Sequence, residues 1–397
     1  MFDTAKKYLW VIKAISKLGL STQKEVITNF LTARKKYVPE DKEADVVDIL
    51  KCALCPNMCR FDCPVVQAAK SETYSPAGRS RIAYLLETKQ IDPEDAVDIM
   101  YACAGCDACR QWCPFGFSVE DLLVGVRKDI VKEKMVPENV KQVKNRLMAT
   151  HTFYEEGRKS VGKRVQPADI LYFAGCSALN KKFESVDAVL TIMEKNNITY
   201  GTLKEEWCCG APLYLLGFEK EFKEFAERNV GIITENGYKT IVCTCPQCVY
   251  MFKEIYPEFG ISFNAEIFHV SEFWLQLVDT GVITFKELSA EYVYHDPCIL
   301  ARKLGIIEEP RELLQSIPGL TLKEVYLNKE TTHCCGMGGA LAVTHPDISL
   351  KIAETRSSQL RNVSPSVVTG CPTCALAFNR MGLHTVDLSE LILKALK

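Results

Sequence analysis

The sequence predicts an α + α/β protein, in which an all-helical N-terminal unit is followed by a duplicated α/β unit. Three observations predict it. Eight cysteines near the N-terminus fall in two tight runs about 40 residues apart, with helical patterning between them. Ten more form a five-membered constellation that occurs twice at a nearly constant offset. From Gln166 onward, short β-rich runs alternate with helical ones, the pattern of a layered α/β unit. The expected units are residues 1–45, a basic amphipathic helical extension; 46–150, the helical unit with both cysteine runs; 166–285, the first repeat; and 286–397, the second.

A chain of 397 residues is too long for one ordinary core and fits two or three domains. Hydrophobic residues make up 47% and charged residues 25%, an ordinary globular balance, and a net charge of -2 carries no nucleic-acid footprint. Cysteine is the outlier, with 19. Residues 1–20 carry lysines throughout and lack the apolar core and small-residue cleavage site of a secretory signal. Cysteines in a chain that is not secreted are metal ligands or catalytic groups more often than disulfides, and an odd total argues against complete pairing. No run of about 18 uninterrupted apolar residues occurs, so no membrane span is expected. The expected location is cytoplasmic, with a partner as the link to the inner face of any membrane.

In residues 1–36, Lys6, Lys7, Lys13, Lys17, Lys24, Arg34, Lys35 and Lys36 face only Asp3 and Glu25, while Leu9, Ile12, Ile15 and Leu18 recur at helical spacing. Two readings are open: a helix that docks on a membrane protein or lipid surface, and a helix packed on its own domain. Further on, residues 79–88 and 92–100 read as helices, the latter opening on Asp92-Pro93-Glu94-Asp95, a helix-start signal. Residues 132–165 read as a helix plus a linker.

The first cysteine run is Cys52-x2-Cys55-x3-Cys59-x3-Cys63-Pro64, and the second is Cys103-x2-Cys106-x2-Cys109-x3-Cys113-Pro114. The second matches the bacterial ferredoxin run, whose fourth cysteine ligates the other cluster. Three thiolates in one tight loop can cap three irons of a cube, and the paired run supplies the fourth. Cys52, Cys55, Cys59 and Cys113 are therefore assigned to one cubane [4Fe–4S] cluster. Cys103, Cys106, Cys109 and Cys63 are assigned to the other. The extra residue between Cys55 and Cys59 alters the local loop, not the ligand count. Structural zinc, which favours paired C-x2-C knuckles and four thiolates, fits two runs of four poorly.

The repeats begin at Cys176 and Cys298. Cys208-Cys209-Gly210 and Cys245-x2-Cys248 follow in the first, Cys334-Cys335-Gly336 and Cys371-x2-Cys374 in the second. The first pair is offset by 122 residues and the other four by 126. Residues 169–173, 240–242, 292–294 and 366–369 read as strands that deliver cysteines at their carboxyl ends, and residues 219–236 and 347–359 read as helices. Adjacent cysteines rarely serve one tetrahedral ion, because neighbouring side chains diverge, whereas a larger bridged cluster can use both. The glycine after each pair is expected to let backbone approach sulfur.

The repeats resemble the Cys-Cys-Gly domains in the B subunit of heterodisulfide reductase. The N-terminal block resembles the C subunit of that enzyme and the α-helical ferredoxin domain of respiratory dehydrogenases. Their fusion resembles its D subunit and the two-[4Fe–4S] subunits of glycolate, lactate and anaerobic glycerol-3-phosphate dehydrogenases. The resemblance spans residues 46–397. In the second repeat it extends to Tyr294-His295-Asp296-Pro297-Cys298, Arg302, residues 309–314 and Cys334-Cys335-Gly336-Met337-Gly338-Gly339. It implies a noncubane [4Fe–4S] cluster on Cys176, Cys208, Cys209, Cys245 and Cys248, and a second on Cys298, Cys334, Cys335, Cys371 and Cys374. In the family a disulfide is reduced between the two clusters, which makes these ten cysteines the catalytic set.

Two functions follow. In the first, two cubane clusters feed a Cys-Cys-Gly site that reduces a disulfide, as in heterodisulfide reductase. In the second, the chain relays electrons from a flavin-dependent 2-hydroxyacid or glycerol-3-phosphate dehydrogenase toward quinone. Both imply a hetero-oligomer with a flavin-containing or membrane cytochrome partner; the first adds a disulfide or thiol substrate. No flavin, nicotinamide or phosphate-loop motif is present, and the 336–339 run lacks the G-x-G-x-x-G spacing. Cys243 reads as a buried inert thiol. His295 and His333 are open to two roles, proton delivery or plain hydrogen bonding. Arg302 and Arg311 are open to anion binding or to pairing with Glu308, Glu309 or Asp296.

Overall fold

The computed structural model describes residues 15–157, 159–161 and 168–397. Lys6, Lys7, Leu9, Ile12 and Lys13 lie outside the described residues. The helix that follows, Leu20–Tyr37, leaves Leu20 and Ile27 exposed, as is Leu18 just before it.

The N-terminal unit is helical throughout. Its helices start where the sequence supplies caps. Asp45 accepts from the Asp48 N–H at the head of Val46–Leu54, and Ser75 from the Gly78 N–H at the head of Pro76–Glu87. Ser118 does the same for Val119–Lys132. Ile49, Ala96, Met100, Leu123 and Val126 bury one face of these helices, and the same core runs on into Leu213 and Phe222 of the first repeat. The described residues that follow Lys132 pack on the first repeat. After the helix Glu138–Thr150, the His151 carbonyl accepts from the Cys208 N–H at 2.9 Å, and the His151 ring stacks on Trp207.

Each repeat is a four-stranded, wholly parallel sheet. The first contains β1 (Ile170–Phe173), β2 (Tyr200–Gly201), β3 (Thr240–Cys243) and β4 (Glu266–His269), ordered β2-β1-β3-β4. The second contains β5 (Ala290–His295), β6 (Leu320–Glu324), β7 (Ser366–Thr369) and β8 (His384–Asp387), ordered β6-β5-β7-β8. The order reverses direction between β1 and β3, and again between β5 and β7. A crevice opens beyond the carboxyl ends of the strands at such a switch point. The strands that the sequence predicts are the two central ones of each sheet. The edge strands β2, β4, β6 and β8 are additions to that pattern, since no cysteine follows them closely.

The repeats meet about a pseudo-twofold axis. Helix Phe183–Lys195 of the first packs on Leu388–Ala395 of the second, and helix Val270–Asp279 of the first packs on Glu309–Gln315 of the second. One core, with Tyr172, Val242 and Trp274 from one side and Tyr294, Val368 and Leu391 from the other, joins them. At its centre the His269 Nε2 sits 2.9 Å from the Gly370 carbonyl of the other repeat.

Asp387 caps the last helix from a fully buried position, and burial lifts its carboxyl to about 7. The protonated form is thus favoured in the folded chain, whereas the unfolded chain ionises it near 4. Its contribution is complete below the unfolded pKa and is lost as pH rises through 7. The Asp387→Asn chain should show a flatter profile, losing about 3 kcal/mol less stability than the parent between pH 5 and 8 in denaturant titrations. Identical slopes for both chains would refute this.

Candidate functional site

The N-terminal cysteines fall into two groups. Cys52, Cys55, Cys59 and Cys113 line one apolar cavity with Met58, Trp112, Phe115 and Phe117, and Cys109 also reaches its wall. Asn57, in the loop with the extra residue, adopts a left-handed conformation held by a hydrogen bond from its side chain to Ser75. Burial pushes the Cys59 thiol up to about 12, with Cys52, Cys63 and Cys113 adding to the effect. Cys55 and Cys113 are half-buried, and around them Leu54, Met58, Phe61, Trp112 and Phe115 are exposed. A contiguous apolar rim of this kind marks a contact surface.

Cys63, Cys103, Cys106 and Cys109 form the inner group, within electrostatic reach of one another. The buried Arg79 guanidinium lies over them, with Nη2 3.6 Å from the Cys63 sulfur and Nη1 donating to the Ala102 carbonyl.

In each repeat the five thiols form one buried chain in which each acts on the ionisation of the next. The order is Cys176–Cys208–Cys209–Cys248–Cys245 in the first, with 3.8 Å between the first two sulfurs. It is Cys298–Cys334–Cys335–Cys374–Cys371 in the second. Thiols donating from both sides pull the ionisation of Cys209 and of Cys335 below that of an ordinary thiol, while Cys248 and Cys374, which donate, are pushed up. Gly175, just before Cys176, leaves room for the Cys248 sulfur, which would stand 3.2 Å from a Cβ there.

The glycine that follows each cysteine pair does a different job from the one expected. A Cβ on Gly210 would meet the Phe222 ring at 3.0 Å, and one on Gly336 would meet the Ser349 carbonyl at 2.6 Å. Both glycines have positive φ and let the next helix pack close. At Gly336 the expectation also holds in part, since its N–H donates to the Cys334 sulfur at 3.3 Å. Gly338 and Gly339 seat the second repeat against the inner N-terminal loop, where a Cβ would fall 2.3 Å from the Ala104 carbonyl and 2.1 Å from that of Cys103. At this junction Cys334 donates to Cys106, pulling the latter down to about 6, and Arg302 donates to the Cys106 carbonyl at 2.6 Å.

The two five-thiol chains approach each other through hydroxyls. Thr373 Oγ1 donates to Ser177 Oγ at 3.1 Å, and Ser177 Oγ is 2.9 Å from the Tyr154 hydroxyl. Burial, with Cys176, Cys245 and Cys371 nearby, holds the Tyr154 phenol protonated. Ser177 and Thr373 adjoin cysteines and are legible in the sequence as neighbours; Tyr154 lies in the expected linker and carries no signal there.

Arg311 makes a bidentate pair with Asp296 at 2.8 and 2.9 Å and also bonds Glu324, so it is structural. Arg302 donates to the carbonyls of Cys106, Glu330 and Thr332. His295 is fully buried, and burial beside Arg356 drives its pKa well down. His333 meets Asp62 at 3.3 Å and Gln359 at 3.0 Å, beside Cys334. Cys243 is fully buried at the end of β3, and burial raises its thiol pKa.

These donors fit iron–sulfur clusters. Among the described residues no three His, Cys, Asp or Glu side chains converge on a point suited to a single metal ion. Donors round a four-iron cluster stand further apart, and soft thiolates suit it. The buried arginines beside the inner sites supply countercharge that neutral thiols would not need.

The comparisons agree. A cysteine-rich domain model matches residues 170–253 and 292–379, and a 4Fe-4S dicluster domain model matches residues 48–117. The D subunit of the dihydromethanophenazine:CoB–CoM heterodisulfide reductase of Methanosarcina acetivorans is 31% identical over 303 residues, 72% of this chain and 74% of that one. The B subunit of the fumarate reductase (CoM/CoB) of Methanothermobacter marburgensis is 27% identical over 90% of this chain and 74% of its own. A crystal structure of a hypothetical protein from Helicobacter pylori shares the fold, with a TM-score of 0.56 at 10% identity, over 99% of this chain and 76% of that one. On its dicluster domain, its paired cysteine-rich domains and its 31% identity to a relative it covers over 74% of that relative's length, the chain belongs to the family of heterodisulfide reductase D subunits and is an iron–sulfur oxidoreductase subunit.

Proposed function

We propose that the chain accepts electrons at its N-terminal cysteine groups and reduces a disulfide between its two cysteine-rich repeats. One observation carries the reading: both repeats keep a complete five-thiol chain of the same connectivity, and the two chains face each other across hydroxyl groups. Clusters held on these cysteines would supply one-electron transfer and sites for sulfur. The reaction is R–S–S–R′ + 2 e⁻ + 2 H⁺ → R–SH + R′–SH: the S–S bond breaks and two S–H bonds form. The electrons come from a reduced flavin-containing or cytochrome partner. The exposed apolar rim of Leu54, Met58, Phe61, Trp112 and Phe115 is its docking face, next to Cys55 and Cys113. Tyr154, Ser177 and Thr373 hold protons at their hydroxyls and pass them to the leaving thiolates.

Iron and sulfide analysis of anaerobically purified protein, with EPR spectra before and after adding a substrate thiol, tests the assignment. Four clusters predict about sixteen irons per chain and a thiol-dependent paramagnetic signal. About eight irons after reconstitution, with no such signal, would replace disulfide chemistry by a relay between a dehydrogenase and quinone.

A further inference from the structure

Four arginines in the middle of the molecule make no salt bridge among the described residues, and the acids that act on Arg127 and Arg356, Glu120 and Asp296, are paired with Lys303 and Arg311. Arg79, Arg127 and Arg356 are each at most 2% exposed, and the Nη2 of Arg302 is buried. The arginine salt bridges among the described residues involve Arg60, Arg110, Arg146, Arg228 and Arg311 instead. Arg127 donates to the carbonyls of Met100 and Leu215, and Arg356 donates to His295 Nδ1 and the Leu327 carbonyl. The nearest acid to Arg302, Asp62, is already engaged by Trp112 and His333. A buried charge left alone costs several kcal/mol, so something anionic must stand opposite.

All four act on the inner N-terminal site or the second repeat's site, and Arg79 reaches Cys52 of the outer site as well. Arg79 and Arg127 act on Cys103, Arg79 on Cys63 as well, Arg302 on Cys106, Cys298 and Cys334, and Arg356 on Cys334 and Cys374. The first repeat lacks this cover. By the repeat offsets of 122 and 126, Asn180 stands where Arg302 stands, and Val230 where Arg356 stands. Asn180 bonds Thr152 and the Cys176 carbonyl, and Val230 packs in the core. The near cation on that side, Arg228, is stacked over Trp207 and paired with Glu205. The outer N-terminal site is set in an apolar cavity at the surface.

We propose that these arginines make the inner N-terminal site and the second repeat's site the high-potential middle of the electron path, where electrons collect before they reach the first repeat. A fixed positive charge stabilises the more negative, reduced form of a thiolate-bound cluster, and a dry interior amplifies the effect. The junction at Gly338, Gly339 and Cys106 brings these two sites together, so the arginines act on neighbouring sites. This rests on the cluster assignment proposed above.

The test is an anaerobic redox titration of the loaded full-length protein, followed by EPR, for the parent, Arg302→Gln and Arg302→Lys. The Gln variant should lower the reduced-to-oxidised ratio of the highest-potential signal about tenfold at fixed potential, equal to ~59 mV for one electron. The Lys variant, which keeps the charge but not the guanidinium fork, should titrate like the parent. An unmoved midpoint in the Gln variant overturns the inference, and so does an equal shift in both, because that would mark a structural role. Iron and sulfide counts on the same samples report separately on the clusters: a parent that holds fewer than four overturns the assignment itself.

Discussion

Cys335→Ala should abolish disulfide reduction while leaving the signals of the N-terminal clusters in place. Cys335 stands at the centre of its thiol chain, between Cys334 and Cys374, which pull its ionisation below that of an ordinary thiol. Removing it splits the chain into two separated pairs, Cys298–Cys334 and Cys374–Cys371. The pocket is fully buried, so alanine leaves a gap that no neighbouring ligand fills. Cys209→Ala, at the same place in the first repeat, should behave alike. Activity is followed as disulfide-dependent reoxidation of a reduced donor, and a loss of at least 10³-fold is expected, about 4 kcal/mol of transition-state stabilisation. Survival of turnover in both variants would end the disulfide reading, since the remaining thiols cannot rebuild either chain.

Gly339→Val should uncouple the N-terminal unit from the repeats. Gly339 has φ +61°, where a side chain costs about 1–2 kcal/mol and a β-branched one more. The greater cost is steric. A Cβ there would lie 2.1 Å from the Cys103 carbonyl and 3.1 Å from the Ala104 carbonyl carbon, so one backbone must retreat from the other. The retreat opens the contact between Cys106 and Cys334 and strips the Cys106 carbonyl of its bond from Arg302. Turnover driven through the docked partner should fall at least a hundredfold, since a misplacement of about 1 Å in a site carries that cost. Turnover driven by a small reductant that reaches the repeats directly should change little. Cys106→Ala should give the same split. Equal losses with both donors, in either variant, would show that electrons do not cross this junction.

Much of the architecture is legible in the chain. The two central strands of each sheet stand out because a candidate ligand cysteine follows each within three residues. The repeat stands out because ligands fix spacing more strictly than packing does, so four offsets stay at 126 while the first drifts to 122. The grouping of Cys113 with the first run and of Cys63 with the second follows from ferredoxin logic, and each stands among those cysteines in space. The edge strands are hidden, since no cysteine follows them closely. Tyr154 is hidden for a similar reason: it lies in a polar stretch, and its role depends on Ser177 and Thr373, which the pseudo-twofold brings beside it.

The sequence by itself determined the cysteine runs, their number and their local spacing, because a tight cysteine loop or a Cys-Cys-Gly turn is set by neighbours along the chain. Only the tertiary structure decided which sites adjoin. It joined Cys106 to Cys334 through a backbone approach that two glycines permit, and it gathered Arg79, Arg127, Arg302 and Arg356 from four distant segments around two of the four sites. Charge acts through space across a dry interior, and no local pattern of residues records which charges that interior will enclose.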